Sequence, residues 1–402
     1  MIAYKLLFVD PDMNALDAYR RLLKAMRPKW SASYAANGRE AIQIMRKSKP
    51  DVLITELNMK IENDADLLKA VQKFYPEVIR IVLSSEPDAQ AETILSATQS
   101  AHRFLAKPCK GESLLAHIEK AAELRKIIYS QELREIIGGM PYLPSLPQLY
   151  HELLSAMESP LVSVADLGDI IARDMSMTTR VLHLVNSAFF GLPRQVSNPR
   201  EAVVMLGLNV LKSLILYVKL FFAAPDSKLP GFSLDDMWEH SSLTARLSRE
   251  IAKDLAGNSR TQEDAFLAGM LHDVGKLLLL EQPKYINSVM WRQSQNSNLS
   301  FADAEYQEFS ASHAEIGGYL LGLWGLPDPV VEAVACHHRP SQISGEPSPV
   351  LAATHLANVL LCRQAGNEIK FDENLLSQAE IKRMLPTWER QAAKLYEEHN
   401  YS

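Results

Sequence analysis

The sequence predicts an α/β domain, built on a doubly wound parallel five-stranded sheet, followed by an all-α domain. Three observations predict it. Short apolar runs alternate with helices of about ten residues through the first third of the chain. The strand signal stops after Gly138-Gly139, and beyond it apolar residues recur only at helical spacing. The length, 402 residues, is two or three ordinary domains.

In chain order, Lys5 to Asp10 (KLLFVD) is a short apolar run ending in an acid, and Asn14 to Met26 reads as a helix. SASYAA, DVLITE, RIVLSS and HRFLAKP then read as strands, separated by GREAIQIMRKS, DADLLKAVQKF and QAETILSA and followed by SLLAHIEKAAEL, all helical. In doubly wound sheets functional groups gather at the carboxyl ends of strands. Here those ends offer Asp10, Glu56, Ser84 and Lys107.

With these residues in place, the segment 1–122 resembles a two-component receiver domain, which has a flavodoxin-like fold. The resemblance implies an acidic pair after the first strand that holds Mg²⁺, an Asp after the third that accepts a phosphoryl group, a Ser or Thr after the fourth, and a Lys before a Pro, typically cis, after the fifth. Ser84 and Lys107-Pro108 fit that pattern. Two positions depart from it. Glu56 stands where the acceptor Asp would be, and Pro11 where the second Mg²⁺ acid would be, with Asp12 expected to point elsewhere. Glu carries its carboxylate a methylene further out, which misplaces an in-line attack by more than about 1 Å. The expected result is a degenerate, unphosphorylated receiver in which Glu56 pairs with Lys107.

Residues 113–138 (SLLAHIEKAAELRKIIYSQELREIIG) lack Pro and, before Gly138, Gly, and carry a broad apolar stripe. One long connecting helix is expected, with homodimerisation through its stripe. The alternative is that the stripe packs on the chain's own domains.

In the second half, helices are expected at 200–222, 235–256, 261–280, 283–296, 312–323 and 327–337, after three near the start of the domain. The central one includes Leu267 to Leu280 (LAGMLHDVGKLLLL), whose apolar residues recur at i, i+3, i+4 and i+7 around His272, Asp273 and Lys276. Potential metal ligands inside an apolar helix cost desolvation unless they are paired. A lone dipeptide of this kind is usually a satisfied core pair. Its context, however, is similar in order and spacing to the HDOD family, the HD-related output domain of bacterial signalling proteins, over about residues 139–365. The similarity is carried by LPSLP (143–147), RVLHLVNSAFFG (180–191), AVVMLGLNVL (202–211), WEHS (238–241), AGMLHDVGK (268–276), HAEIG (313–317), WGLP (324–327) and CHH (336–338). Asn186 and Ser187 are expected to be buried hydrogen bonders.

An HD phosphohydrolase holds divalent cations with a His, the His-Asp pair and a distal Asp, and activates water against a phosphate ester. This chain offers His240, His272, Asp273, His313, His337 and His338, of which His240, His272, Asp273 and His337 are the candidate metal ligands. Asn358 occupies the distal Asp position, with His355 nearby, and a neutral amide is a poor ligand for a hard cation. His-His-Arg at 337–339 lacks the His-His-Glu and Gly-Tyr-Pro loop of the cyclic-di-GMP phosphodiesterase branch. No cofactor is expected, with a divalent metal in this pocket as the alternative. The tail, 366–402, alternates acids and bases and is expected as a solvated helix.

The formal charge of −6 provides no basic footprint for nucleic acid or anionic membrane. The apolar tract Val203 to Ala224 is broken by Asn209, Lys212 and Lys219 and is read as a buried helix, not a membrane span. Cys109, Cys336 and Cys362, without paired spacing, suit free thiols in a cytoplasmic protein. The expected function is a non-catalytic signalling regulator whose receiver controls an HDOD module that binds protein partners of a bacterial pathway. A metal-dependent phosphohydrolase or cyclic-dinucleotide phosphodiesterase is the alternative, and a nucleotide-binding sensor without turnover the second.

Overall fold

The computed structural model describes residues 4–57, 59–61, 65–84, 100–128, 130–139, 147–159, 162–186, 195–207, 211, 233–280, 300–343, 345–367 and 369–400. Among these, five strands form one parallel sheet: β1 (Lys5–Val9), β2 (Ser31–Ala35), β3 (Val52–Glu56), β4 (Ile79–Ser84) and β5 (Arg103–Ala106), in the order β2-β1-β3-β4-β5. Leu6, Phe8, Val52, Ile54, Ile79 and Ile81 are buried on one side and Leu7, Val9, Leu53 and Val82 on the other, as a sheet covered on both faces requires. Among the described residues, helices α1 (Met13–Met26), α2 (Gly38–Lys47), α3 (Leu67–Phe74) and α4 (Gly111–Glu123) belong to this unit. The order reverses between β1 and β3, opening a crevice beyond their carboxyl ends where Asp10 and Glu56 lie. The Lys107-Pro108 peptide is cis.

The connector is not the single helix expected. After α4 the chain passes through a 3₁₀ turn (Leu124–Lys126) before α5 (Gln131–Gly139). Its stripe is also spent within the chain: Leu114, Leu115, Ile118, Ala121, Ala122, Ile128, Leu133 and Ile137 are all buried. Within the chain, the stripe packs on the protein's own core.

The second unit is helical: α6 (Pro147–Glu158), α7 (Val164–Ile171), α8 (Met175–Val185), α9 (Pro199–Leu206), α10 (Leu234–Ala256), α11 (Ser259–Leu271), α12 (Val274–Leu280), α13 (Phe301–Phe309), α14 (His313–Leu323), α15 (Asp328–Cys336), α16 (Pro349–Gln364), α17 (Glu373–Ser377) and α18 (Ala379–Asn400). Three differences from expectation stand out among the described residues. The stretch 267–280 is broken into α11 and α12 by a turn at His272-Asp273. Helix α13 was not foreseen. The expected helix at 283–296, most of 203–224 and Ser187 lie outside the described residues. The tail is packed and not solvated: in α18, Ile381, Trp388 and Ala392 are buried, and Trp388 Nε1 donates to Asp254 Oδ2 of α10 at 2.9 Å. Charge alternation outweighs three apolar anchors in a sequence count, but the anchors share one face. No described helix is long and apolar enough to cross a membrane.

The two units meet through the far ends of β4 and β5. The buried Arg80 side chain donates to the carbonyls of Ser100, Pro76, Val78 and Gly138. Arg103 Nη2 donates to Gly322 O at 2.7 Å, and His183 Nε2 faces His102 O at 3.3 Å. The His183 ring is stacked on Trp324. Burial, then Arg180 and Arg103, hold His183 at a pKa of about 3; burial and Arg80 keep His102 well below the usual imidazole range.

Both imidazoles are therefore neutral in the fold and take up protons only on unfolding. Because the folded pKa is depressed, this contribution to stability is complete above about pH 6.5 and lost as pH falls below it. By pH 5 His183 alone is expected to cost about 2 kcal/mol, with His102 acting in the same direction. Urea midpoints measured from pH 7 to 5 should fall, and less steeply in His183→Phe. Parallel slopes in the two proteins would refute the assignment to His183.

Candidate functional site

Each unit brings candidate residues together: Asp10, Glu56 and Lys107 in the first, and a histidine-rich cluster in the second. In the receiver, Lys107 Nζ lies 2.7 Å from Asp10 Oδ2 and also bonds Glu56 Oε2. The Glu56 carboxylate at the end of β3 thus meets the lysine that follows β5. Glu56 Oε1 accepts the Leu57 N–H at 3.1 Å. Burial lowers the Lys107 pKa, but hydrogen bonds to Asp10 and Glu56 outweigh it and lift the ammonium to about 12. Asp12, as expected, faces elsewhere: it caps α1, accepting from Asn14 N at 2.9 Å, while its own N–H donates to Asp10 Oδ1 at 3.0 Å. Ser84 ends β4 in register with Ala106.

The second pocket lies among α10, α11, α12, α14, α15 and α16. On a continuous helix, adjacent side chains diverge by about 100°; the turn at His272-Asp273 sets both residues toward one space. Gly275 brings α14 onto this turn, since a Cβ there would lie 2.0 Å from His313 O. Asp273 is the centre of charge. Its Oδ2 is 2.7 Å from Lys276 Nζ, and its Oδ1 is 3.1 Å from His313 Nε2. Burial works against the charged carboxylate, but His272 and Lys276 hold its pKa well below the ordinary range. On its other side His313 Nδ1 donates to Glu305 Oε2 at 2.6 Å, and the same oxygen accepts the His313 N–H at 2.7 Å. Burial lowers His313, but Glu305 and Asp273 outweigh it and raise the ring to about 9.

The other imidazoles are neutral. Burial lowers His240, and keeps His337 and His338 well below the usual range; His272 is held at about 4. His272 Nδ1 donates to Gly269 O, and His337 Nδ1 to Val334 O, each at 2.8 Å. That fixes both tautomers with an Nε2 lone pair directed inward, and neither Nε2 has a hydrogen-bond partner. The rings stand perpendicular, centroids 5.0 Å apart. His338 Nε2 lies 2.9 Å from His313 Nε2 and accepts a hydrogen bond from it. Asn358 Oδ1 accepts from His240 Nε2 at 2.9 Å. His355 sits behind the pocket, donating from Nδ1 to His337 O at 2.7 Å and accepting Asp372 N–H at 3.0 Å. Asn186 bonds both the N–H and the carbonyl of Val196 through its side-chain amide, and is partly buried rather than buried.

All eight expected residues of this pocket therefore converge. Glu305 was missed: it is eight residues upstream on a helix with polar neighbours, and its complete burial is visible only in the fold. Two groups have ligand atoms close enough for one ion, His240-His272-Asp273 and His313-His337-His338. The nitrogen donors suit a metal. The charge does not suit the hard-cation centre of a phosphohydrolase, because both Asp273 oxygens already face cationic partners and Asn358 contributes no charge.

A doubly wound receiver joined to a helical domain built round a His-Asp turn defines a signal-transduction regulator of the response-regulator class. Residues 6–119 match the response regulator receiver domain and residues 143–340 match the HDOD domain, so the chain is a receiver–HDOD protein. An uncharacterized protein of Treponema pallidum is 26% identical over 223 residues, which are 54% of this chain and 42% of that protein. A protein-glutamate methylesterase/protein-glutamine glutaminase of Geobacillus kaustophilus is 28% identical over 98 residues, 24% of this chain and 28% of its own. The chain thus spans less than half the length of either relative. Among solved structures, the MmoQ response regulator of Methylococcus capsulatus str. Bath superposes with a TM-score of 0.48 at 21% identity, over 61% of this chain and 98% of its own.

Proposed function

We propose that this protein is a non-catalytic regulator, in which a degenerate receiver controls or scaffolds an HDOD module that acts by binding protein partners. The observation that carries this reading is the closed charge balance of the HD-like pocket. Asp273 and Glu305 are matched by Lys276 and the His313 imidazolium, so a hydroxide-generating dication would enter a pocket whose only two carboxylates among these residues are already neutralised. In the receiver, the Glu56–Lys107 pair occupies the place of the phosphoryl contact.

The test is turnover and labelling by the full-length protein. With Mn²⁺ or Fe²⁺, no hydrolysis of cyclic di-GMP or of a generic phosphodiester is expected, and acetyl phosphate should leave no phosphate on Glu56 or Asp12. Hydrolysis that disappears in Asp273→Ala would overturn the non-catalytic reading; labelled Glu56 would overturn the degenerate receiver. A second reading, metal-dependent hydrolysis, is favoured by the unpartnered Nε2 atoms of His272 and His337. Stoichiometric metal in the purified protein, lost in His272→Ala together with activity, would establish it. Cyclic dinucleotide bound without turnover would point instead to a sensor.

A further inference from the structure

Receiver control of an HDOD module needs a physical route between the two pockets, and the bent, fully packed connector is a poor rod for it. We propose that the pockets are coupled through strand β5 and helix α14, joined at the hydrogen bond from Arg103 to the Gly322 carbonyl. This inference rests on the reading that the receiver governs the helical domain.

The route is continuous in rigid elements. Lys107, which holds Asp10 and Glu56, directly follows β5, and Arg103 opens that strand. Four residues of strand span about 13 Å. At the near end, Arg103, only 7% exposed, donates from Nη2 to Gly322 O at 2.7 Å. Gly322 lies one residue from the end of α14, and His313 is the first residue of the same helix. Nine residues of helix carry the path about 14 Å further. There His313 touches Asp273, Glu305 and His338 at once. A displacement of α14 along its axis therefore alters the centre of the imidazole pocket directly.

Two features make the joint tight. A Cβ on Gly322 would come within 2.6 Å of Leu124 Cδ2, so the buried Leu124 side chain of the 3₁₀ turn packs directly on the helix end at Gly322. Next to it, Trp324 stacks on His183, whose Nε2 reaches the carbonyl of His102, the neighbour of Arg103. Adjacent receiver residues thus grip the ends of two separate helices, α8 and α14. Packed elements of this kind shift between discrete arrangements and do not bend smoothly.

Hydrogen exchange on the full-length chain tests the route. Lys107→Ala frees Asp10 and Glu56 at one end, and the readout is exchange in the α14 amides, 313–323. A change of at least about fivefold is expected, the lower range of coupling between sites. In Arg103→Met the same perturbation should leave α14 unchanged. Arg103→Lys, which keeps the charge but loses the fork, should weaken the response, and it serves if the Met variant fails to fold. Because coupling is reciprocal, Glu305→Gln should alter exchange in 103–107, again only with Arg103 intact. A response of undiminished size in both Arg103 variants would overturn the route while leaving receiver control in place. No response to Lys107→Ala in the natural chain would overturn the route and the regulatory reading together.

Discussion

Asp273→Ala is expected to cost about 3–5 kcal/mol of folding stability, the usual penalty for removing one member of a buried ion pair. The carboxylate is buried, and its loss leaves the Lys276 ammonium without its counter-charge and the His313 imidazolium balanced by Glu305 alone. Lys276, about one-fifth exposed, can swing toward water and recover part of the loss; His313, 1% exposed, cannot. Asp273→Asn keeps the shape and one acceptor and should cost less than the Ala variant. Urea unfolding of the three proteins at pH 7 provides the comparison. A loss under about 1 kcal/mol for the Ala variant, the level of a solvated surface pair, would show that the pocket is not closed by charge. That result would also weaken the non-catalytic reading.

Gly275→Ala should also be damaging, to a smaller degree and for a steric reason. In a helix interior Ala is favoured over Gly by about 1 kcal/mol, so propensity alone predicts stabilisation. The added Cβ, however, would lie 2.0 Å from His313 O and 2.8 Å from Gly317 N, and both are backbone atoms that cannot rotate aside. Helices α12 and α14 must separate, and overpacking of that kind costs about 1–3 kcal/mol. The upper end is expected here, with a net loss of about 2 kcal/mol after the propensity gain. Separation would also draw His313 away from Asp273, so the His313 ring resonances should shift in the variant. Gly317→Ala, whose nearest contact is a Val274 methyl at 3.0 Å, should be milder. Equal or greater stability in Gly275→Ala would mean that the close approach is not maintained in solution.

Much of the site was legible in the residue order because its chemistry is local to element ends. Asp10, Glu56, Ser84 and Lys107 each close a strand, and a parallel sheet necessarily brings such ends to one edge. The Glu56–Lys107 pair follows once those strands are placed. His272 and Asp273 announce themselves as polar groups in an apolar stretch, and Asn358 as a change of charge at a ligand position.

The remaining features depended on distance between segments far apart in the chain. A continuous helical period runs through 267–280, yet the chain turns at His272-Asp273, because a turn is what sets two adjacent side chains toward one pocket. The apolar stripe of 113–138 is equally compatible with a partner chain or with the protein's own core; only the packing of Ile128, Leu133 and Ile137 decides for the core. Trp388 sits among charges and is nevertheless fully buried against α10 and α16. Glu305 has no marker in sequence at all.

By itself the sequence determined the two fold classes and their order, since periodicity is a property of short segments, and its resemblance to two families pointed to all but Glu305 of the pocket residues described above. Tertiary structure alone decided how the pockets are charged and how they are joined. Asp273 is neutralised by groups 3 and 40 positions away, and Arg103 bonds a carbonyl 219 positions distant. Electrostatics and close packing act through space over a few ångströms, and no local pattern encodes which distant atoms will be that near.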